Sequence, residues 1–473
     1  MTQRAAVLVP LLVMLGAPLA ALPAQAPAAT PAATPAPIGE RIAVALAAID
    51  AARLEQTVRT LVSFGTRHVL SRTDSDTEGT GAARKWLREQ FETIAASANG
   101  RLVVSLQQET VACARPGMPK TVPITNVIAT LRGTTDPERV YVIGGHYDSR
   151  NSKGEDGQGA APGAVDDASG TAVALEACRV MSKLEFAATI VFVAYDGEEQ
   201  GLLGSQAHAK AMAAAGVSID GMIGCDIVGN TLGMDGQRYD RHLRCFSYAA
   251  MGNDSLGRSL ARAMTYSAAQ HVPDFGVKLI FRGDRYGRGG DHRSFFEQGF
   301  PAVRCSEPRE DFSRQHQNVT ERDGKPYGDL PDFADYAYMA NVTRVVVATL
   351  GELASAPPPP LVTAALLRRD RYDTEITFRL PAGVSDCEFV WRETTAADWA
   401  GTLRLADAKV QPGRGNSRVA TLPGVCLDDV VVGVRSVGAD GSRSRVAVPP
   451  DPDRLDQRPR SDTKNDSATK GGR

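Results

Sequence analysis

Cysteine is scarce in this chain: there are seven in 473 residues, and no two form a CxxC pair. That excludes a small scaffold held together by disulfides. A surplus of one charge is also missing, since Lys plus Arg number 53 and Asp plus Glu 55. Without a basic excess to neutralise phosphates, a nucleic-acid partner is not expected. Beyond residue 26 no run is long and apolar enough to cross a bilayer, for which a helix needs about 20 residues. Hydrophobic residues make up 43% and charged residues 23%. These values exclude wholesale disorder, collagen and a polytopic membrane protein.

What is present divides the chain into segments of different character. Residues 1–26 carry Arg4, an apolar stretch over 5–19 and the small-x-small triplet Ala24-Gln25-Ala26, the pattern of a secretory signal. Pro10, Gly16 and Pro18 interrupt the stretch, so removal is expected rather than retention as an anchor, and the protein is read as exported. An Ala/Pro/Thr linker follows over 27–37. Residues 38–356 form the large domain, 357–360 a proline hinge, 361–450 a β-rich module and 451–473 a polar tail expected to be disordered.

Within the large domain, apolar residues at three- and four-residue spacing predict one or two helices between 38 and 64, and another carrying Trp86, Leu87, Phe91 and Ile94. From residue 102 short β-rich runs (102–106, 126–131, 140–144, 189–194, 221–227, 302–304) alternate with helical stretches such as 170–183 and 203–214. The expected fold class is α/β, with a mixed, largely parallel sheet flanked by helices. Open α/β sheets bind ligands at the carboxyl ends of their strands. Those positions here read GHYDS (145–149), APGAVDDASG (161–170), YDGEEQGLLGS (195–205) and CDIVG (225–229). Four acidic strand ends in succession, with an HxD pair, predict a metal site assembled from loops.

These motifs, with GGDH (289–292) and a late histidine, resemble in order and spacing the M28 family of zinc peptidases, over about 82–354. His146 and Asp166 stand 20 apart and Glu198 and Asp226 28 apart. The resemblance implies two zinc ions, replaceable by cobalt or manganese, and a peptide substrate. His146 and Asp226 would hold one ion, Glu199 and His316 the other, and Asp166 would bridge both. It also implies Glu198 as general base, and Asp148 as acceptor of the other imidazole N–H of His146, fixing its tautomer. The activity implied first is that of an aminopeptidase. Carboxypeptidases, single-zinc glutaminyl cyclases and metal-free receptor-like binding modules share the family or its fold and stay open as alternatives.

His316 departs from the family's Tyr-His-Thr context, with Gln315 and Gln317 beside it. His292, in GGDHRSF (289–295), is the competing candidate. His68, His208, His242 and His271 are read as surface or satisfied polar residues. The basic stretch 274–293 contains Arg282, Arg285, Arg288 and Arg293. It reads either as a solvated loop or as a substrate rim formed by Arg282, Arg285, Arg288, Asp291 and His292, because guanidinium forks bind carboxylates. A last helix is expected over 333–353. Beyond the hinge, regularly spaced β runs predict a small β-sandwich resembling a fibronectin type III module, with Trp391 and Leu422 in its core. Cys387 and Cys426 are a candidate pair for a bridge in an exported protein, which the sequence leaves open, while Cys178 and Cys225 read as buried thiols.

Overall fold

The computed structural model describes residues 36–248 and 255–450. The signal, most of the linker and the tail lie outside these residues. In chain order the large domain runs α1 (Ile38–Ala47), α2 (Ala51–Ser63), α3 (Gly79–Ala96), β1 (Leu102–Ala112), β2 (Thr121–Leu131), β3 (Asp136–His146), α4 (Ala168–Met181), β4 (Ala188–Tyr195), α5 (Leu203–Ala214), β5 (Ser218–Cys225), β6 (His242–Ser247), α6 (Leu256–His271), β7 (Gly276–Ile280), α7 (His292–Glu297), β8 (Ala302–Ser306), the short pair β9 (Thr320–Arg322) and β10 (Lys325–Tyr327), and α8 (Tyr336–Ser355).

Eight strands form one sheet in the order β1-β2-β4-β3-β5-β8-β6-β7. The four central strands β4, β3, β5 and β8 are mutually parallel, whereas β1 and β2 form an antiparallel hairpin on one flank. β4 is buried at every position, as a strand covered on both faces must be. Alternation along the strands sorts the core into two layers. Tyr141, Ile143, Ile190 and Phe192 face a cluster that also contains residues of α1, α2, α3, α4, α6 and α8. Val140, Val142, Val191 and Val193 face α5 and α7 through Ala209 and Phe295. β3 connects through α4 to β4 on one side, and the chain then returns through α5 to β5 on the other. The order therefore reverses at β3, and its carboxyl end is the crevice where such sheets bind ligands.

Two departures from the expected pattern concern the sheet's flanks. The runs at 102–106 and 126–131 are the inner parts of a hairpin of two 11-residue strands, whose distal half buries Val122 and Ile124 in a small separate cluster and whose tip reaches the site. Part of the basic stretch 274–293 is strand β7, paired with β6. Both strands are short, and β7 is only half-buried, so they carry little apolar signal.

The C-terminal module comprises β11 (Leu361–Arg368), β12 (Asp373–Arg379), β13 (Asp386–Glu393), β14 (Gly401–Arg404), β15 (Lys409–Pro412), β16 (Arg418–Leu422) and β17 (Val430–Val437). A four-stranded sheet, β11-β12-β16-β15, and a three-stranded sheet, β14-β13-β17, enclose one core in which the Phe378 and Phe389 rings meet edge-on at 5.2 Å. Leu422 is buried in that core and Trp391 packs against it. The candidate bridge between Cys387 and Cys426 does not form, since both are free thiols. Cys387 points into the module core while Cys426 sits half-exposed on the turn after β16.

The module is docked on the large domain. Ser259 Oγ on α6 donates to Val446 O at 2.8 Å, Arg262 Nε donates to Ala397 O at 2.7 Å, and Glu352 on α8 accepts from Arg443 N at 3.1 Å. Arg435 and Arg443 both lie over the Tyr266 ring and both pair with Glu388, at 2.7 and 3.1 Å. Removing Glu388 takes the shared carboxylate from two guanidiniums at a largely buried seam. Glu388→Ala should therefore lower stability by roughly 2–4 kcal/mol, read as a fall in the denaturation midpoint.

Candidate metal centre

The apolar β3 run ends in Gly144-Gly145-His146. Gly145 has no room for a side chain: a Cβ there would lie 2.5 Å from the Gly170 carbonyl carbon and 2.7 Å from Asp167 Oδ2. The start of α4 is thereby pressed against the end of β3, which brings Asp166 and Asp167 to His146. The Asp166–Asp167 peptide bond is cis. Asp167 is fully buried, and its carboxylate accepts from His146 N, Gly170 N and Ile227 N at 2.8–3.2 Å. One side chain thus ties β3, α4 and the exit of β5 together. Asp329 accepts from Val165 N and Asp166 N at 2.7–3.0 Å. The Asp166 backbone is pinned from that side as well.

Six of the expected residues converge here. Asp166 Oδ1 lies 3.2 Å from His146 Nε2, and its Oδ2 lies 2.8 Å from His316 Nε2. His316 Nε2 is also 2.9 Å from Glu199 Oε1. Asp226 Oδ1 and Glu198 Oε2 approach His146 Nε2 at 4.0 and 3.9 Å. Two sets with metal-ligand geometry result, His146/Asp166/Asp226 and Asp166/Glu199/His316, and they share Asp166. His146 Nε2, Glu199 Oε1 and Asp226 Oδ1 are buried without a hydrogen bond. Buried donor atoms that make close charge contacts but no aligned hydrogen bond keep lone pairs that a cation would satisfy. Imidazole nitrogen with carboxylate oxygen is a donor set that fits zinc.

The backbone around the ligands is strained. His316 and Ile227, the residue after Asp226, have φ of 59° and 58°, which for a β-branched residue is an outlier. Ile227 is held there by Asp167 and by the Glu307 N–H, which donates to its carbonyl at 2.7 Å. Electrostatics follow burial. Burial pushes Asp166 up, but His316 and His146 outweigh it and hold the group well below its ordinary range. Burial pushes Glu198 well above its ordinary range, and Asp226, Glu199 and Asp291 add to that against the opposing effect of His146.

Several roles differ from expectation. The Asp148 carboxylate accepts from Glu198 N and Glu199 N at 3.0 and 3.2 Å, so it fixes the turn carrying the paired glutamates. His146 Nδ1 is instead nearest the Asp148 main-chain oxygen, at 3.1 Å, with the carboxylate at 3.5 Å. The orienting partner is the same residue, but a different group. His292 belongs to neither ligand set. Its Nε2 faces Gly283 O at 2.7 Å, and its ring stacks on Tyr248. In the basic stretch, Arg285 is tied to Asp284 and Glu310 at 3.1 and 2.9 Å, and Arg288 lies 4.0 Å from Glu310. Arg282 is exposed and lies over the Tyr286 ring. Asp291 is buried, with Oδ1 unpartnered, and burial pushes it up to about 7.

Sequence reasoning missed several charged neighbours. Asp167 stood in the motif but was assigned no task, and Asp329 lies outside any motif. Arg150, next to GHYDS, donates from Nε to Glu199 Oε2 at 2.8 Å. Arg115, on the hairpin tip between β1 and β2, donates to the Glu199 carbonyl. Nothing local in the sequence distinguishes Arg115 from a solvated residue.

Residues 126–339 match peptidase family M28. The chain is 39% identical over 444 residues to a probable zinc metalloprotease of Phaeosphaeria nodorum, covering 87% of this chain and 88% of that one. It is 40% identical over 429 residues to a probable zinc metalloprotease of Leptosphaeria maculans, covering 87% and 97%. The structure of the LapA aminopeptidase of Legionella pneumophila shares the fold, with a TM-score of 0.50 at 24% identity over 67% of this chain and 75% of that one. Full-length similarity at this level, on a chain whose strand ends gather the ligand sets above, makes the protein a zinc metalloprotease of peptidase family M28.

Proposed function

We propose that the protein is an exported aminopeptidase that works with two zinc ions. The observation carrying this reading is the Asp166 carboxylate, each oxygen of which faces a different histidine. A carboxylate so placed would serve both ions of a two-metal hydrolase. His146 and Asp226 would complete one site, and Glu199 and His316 the other. Zinc bound there would polarise the scissile carbonyl and make water a nucleophile near neutral pH. Asp166, Glu199 and Asp226 together offset three of the four positive charges. Cobalt or manganese would substitute, given the same nitrogen and oxygen donors.

Glu198 is the residue left for proton transfer. It follows Asp196-Gly197 on the turn after β4, and its backbone is fixed by Asp148. Its carboxylate lies within 3.9 Å of His146 yet belongs to neither ligand set. It would accept a proton from the attacking water and return it to the leaving amine. Glu198 and Asp291, carboxyl groups near the centre that belong to neither ligand set, are the groups available to a substrate's free α-ammonium. Arg285 and Arg288 are turned toward acidic side chains of the protein. Among the three rim arginines this leaves Arg282, exposed over Tyr286, to hold the terminal carboxylate that a carboxypeptidase would bind.

Purified full-length chain lacking residues 1–26 is expected to hold two zinc ions and to lose activity to a chelator, with recovery on adding zinc or cobalt. N-acetylation of a short peptide should abolish its hydrolysis, whereas C-amidation should be tolerated. One metal per active chain, or cleavage of blocked peptides that demands a free carboxyl terminus, would overturn the assignment.

The paired glutamates should separate. Glu198→Gln is expected to retain both metals and reduce turnover by at least about a hundredfold, within the roughly 10²–10⁴ supplied by general acid–base catalysis. Glu199→Gln should lose one metal. Metal content beside single-turnover rates distinguishes the two, and near-normal turnover in Glu198→Gln would remove its role.

A further inference from the structure

Behind Asp226 stands a guanidinium that none of the motifs contains. Arg304 is on β8, directly opposite Gly224 of β5, and is 1% exposed. Its Nη2 lies 2.8 Å from Asp226 Oδ1 and 3.4 Å from the Asp226 main-chain oxygen. Its Nη1 donates to both oxygens of Asp284, at 3.2 and 3.0 Å, and to Gly289 O at 2.8 Å. Gly290 then passes so close that a Cβ there would sit 3.1 Å from Asp226 Oδ2 and 3.2 Å from Arg304 Nη1. The loop carrying Asp291 and His292 is thus folded around one arginine, which also touches an expected metal ligand.

The contact with Asp226 has an informative geometry. At 2.8 Å it is a close ion pair, yet Asp226 Oδ1 has no aligned hydrogen bond. The guanidinium and His146 Nε2, the latter 4.0 Å away, thus face the same oxygen, and the position of the guanidinium decides how open that oxygen is to a metal ion. Asp284 matters because it shares the same cation. Its two oxygens take Nη1, and Arg285 binds it from the other side at 3.1 Å. An arginine anchored by Asp284 steadies Asp226. An arginine released from Asp284 would be drawn onto Asp226 and compete with a dication for the same oxygen.

Resting on the metal-centre reading above, we infer that Arg304 is a positioning residue for the metal ligand Asp226, and that Asp284 restrains it so that it orients Asp226 without competing for the metal. A lysine cannot replace it, because a single ammonium lacks the planar fork needed to hold Asp284, Gly289 O and Asp226 together.

The test is zinc binding by the metal-stripped full chain, with stepwise affinities from calorimetry against a chelator of known affinity. Wild type should show two steps. In Asp284→Asn and in Arg304→Lys one step should weaken by about tenfold or more, the range typical of residues that orient metal ligands, with the other step within about twofold. Asp284→Glu, which restores a carboxylate, should recover most of the loss. If Arg304→Lys fails to fold, Asp284→Asn decides alone. Folded variants with both steps unchanged, a rise in affinity, an equal loss at both steps, or failure of both variants to fold would overturn the inference and leave Arg304 a structural residue. A wild-type chain that takes up no zinc would instead overturn the metal-centre reading.

Discussion

A carboxylate can face an imidazole on each of its two oxygens only if its own backbone is fixed, because a free rotamer would satisfy one partner and abandon the other. Asp166 meets that condition through two buried acids. Asp329 takes the amides of Val165 and Asp166, while Asp167, the next residue, takes the amides of His146, Gly170 and Ile227. The rest of the centre depends on this anchoring. Both ligand sets share Asp166, so a shift of its carboxylate would disturb both at once.

The concentration of negative charge at this point is unusual for a protein interior, since buried carboxylates are costly without compensation. Fixed cations surround the cluster at different depths. Arg67 is fully buried beneath it and donates to the carbonyls of Leu61, Tyr147, Pro162 and Gly163, with burial pulling the group down to about 10. Arg150 touches Glu199 and Arg304 touches Asp226. Each outer carboxylate ligand therefore has its own arginine, and the shared Asp166 has the two histidines. The two arginines differ in reach: Arg150 is half-buried near the cleft, whereas Arg304 is enclosed and cannot leave.

The elements outside the family match also bear on the centre. The hairpin of β1 and β2 sends Arg115 to the Glu199 carbonyl, so the turn with the paired glutamates is held by Asp148 on its amides and by Arg115 on its carbonyl. The C-terminal module lies on α6 and α8, and none of its residues belongs to either ligand set. Its polar seam with Arg262, Tyr266 and Glu352 makes it part of one compact body with the large domain.

The parallel sheet and most of the residues gathered at the centre were legible in the sequence, because each is written locally. An apolar run that must be buried on both faces reads as a central strand, and the strand's carboxyl end is where this architecture binds ligands. His146, Glu198, Glu199 and Asp226 stand at or just beyond such strand ends, whereas Asp166 and His316 lie farther along the loops and were indicated by the motif and the resemblance. The resemblance to a zinc peptidase family supplied their roles. What the chain order could not supply was the set of charges meeting those residues from distant elements. Arg304 lies 78 residues from Asp226, Asp329 163 from Asp166 and Arg115 84 from Glu199. The group of Asp148 that orients His146, the inward commitment of Arg285, and the separation of Cys387 from Cys426 were likewise decided by packing. A residue's type and local spacing determine which contacts it can make. Which of them it makes depends on what the fold places against it, and for a buried charge that partner is seldom a neighbour in sequence.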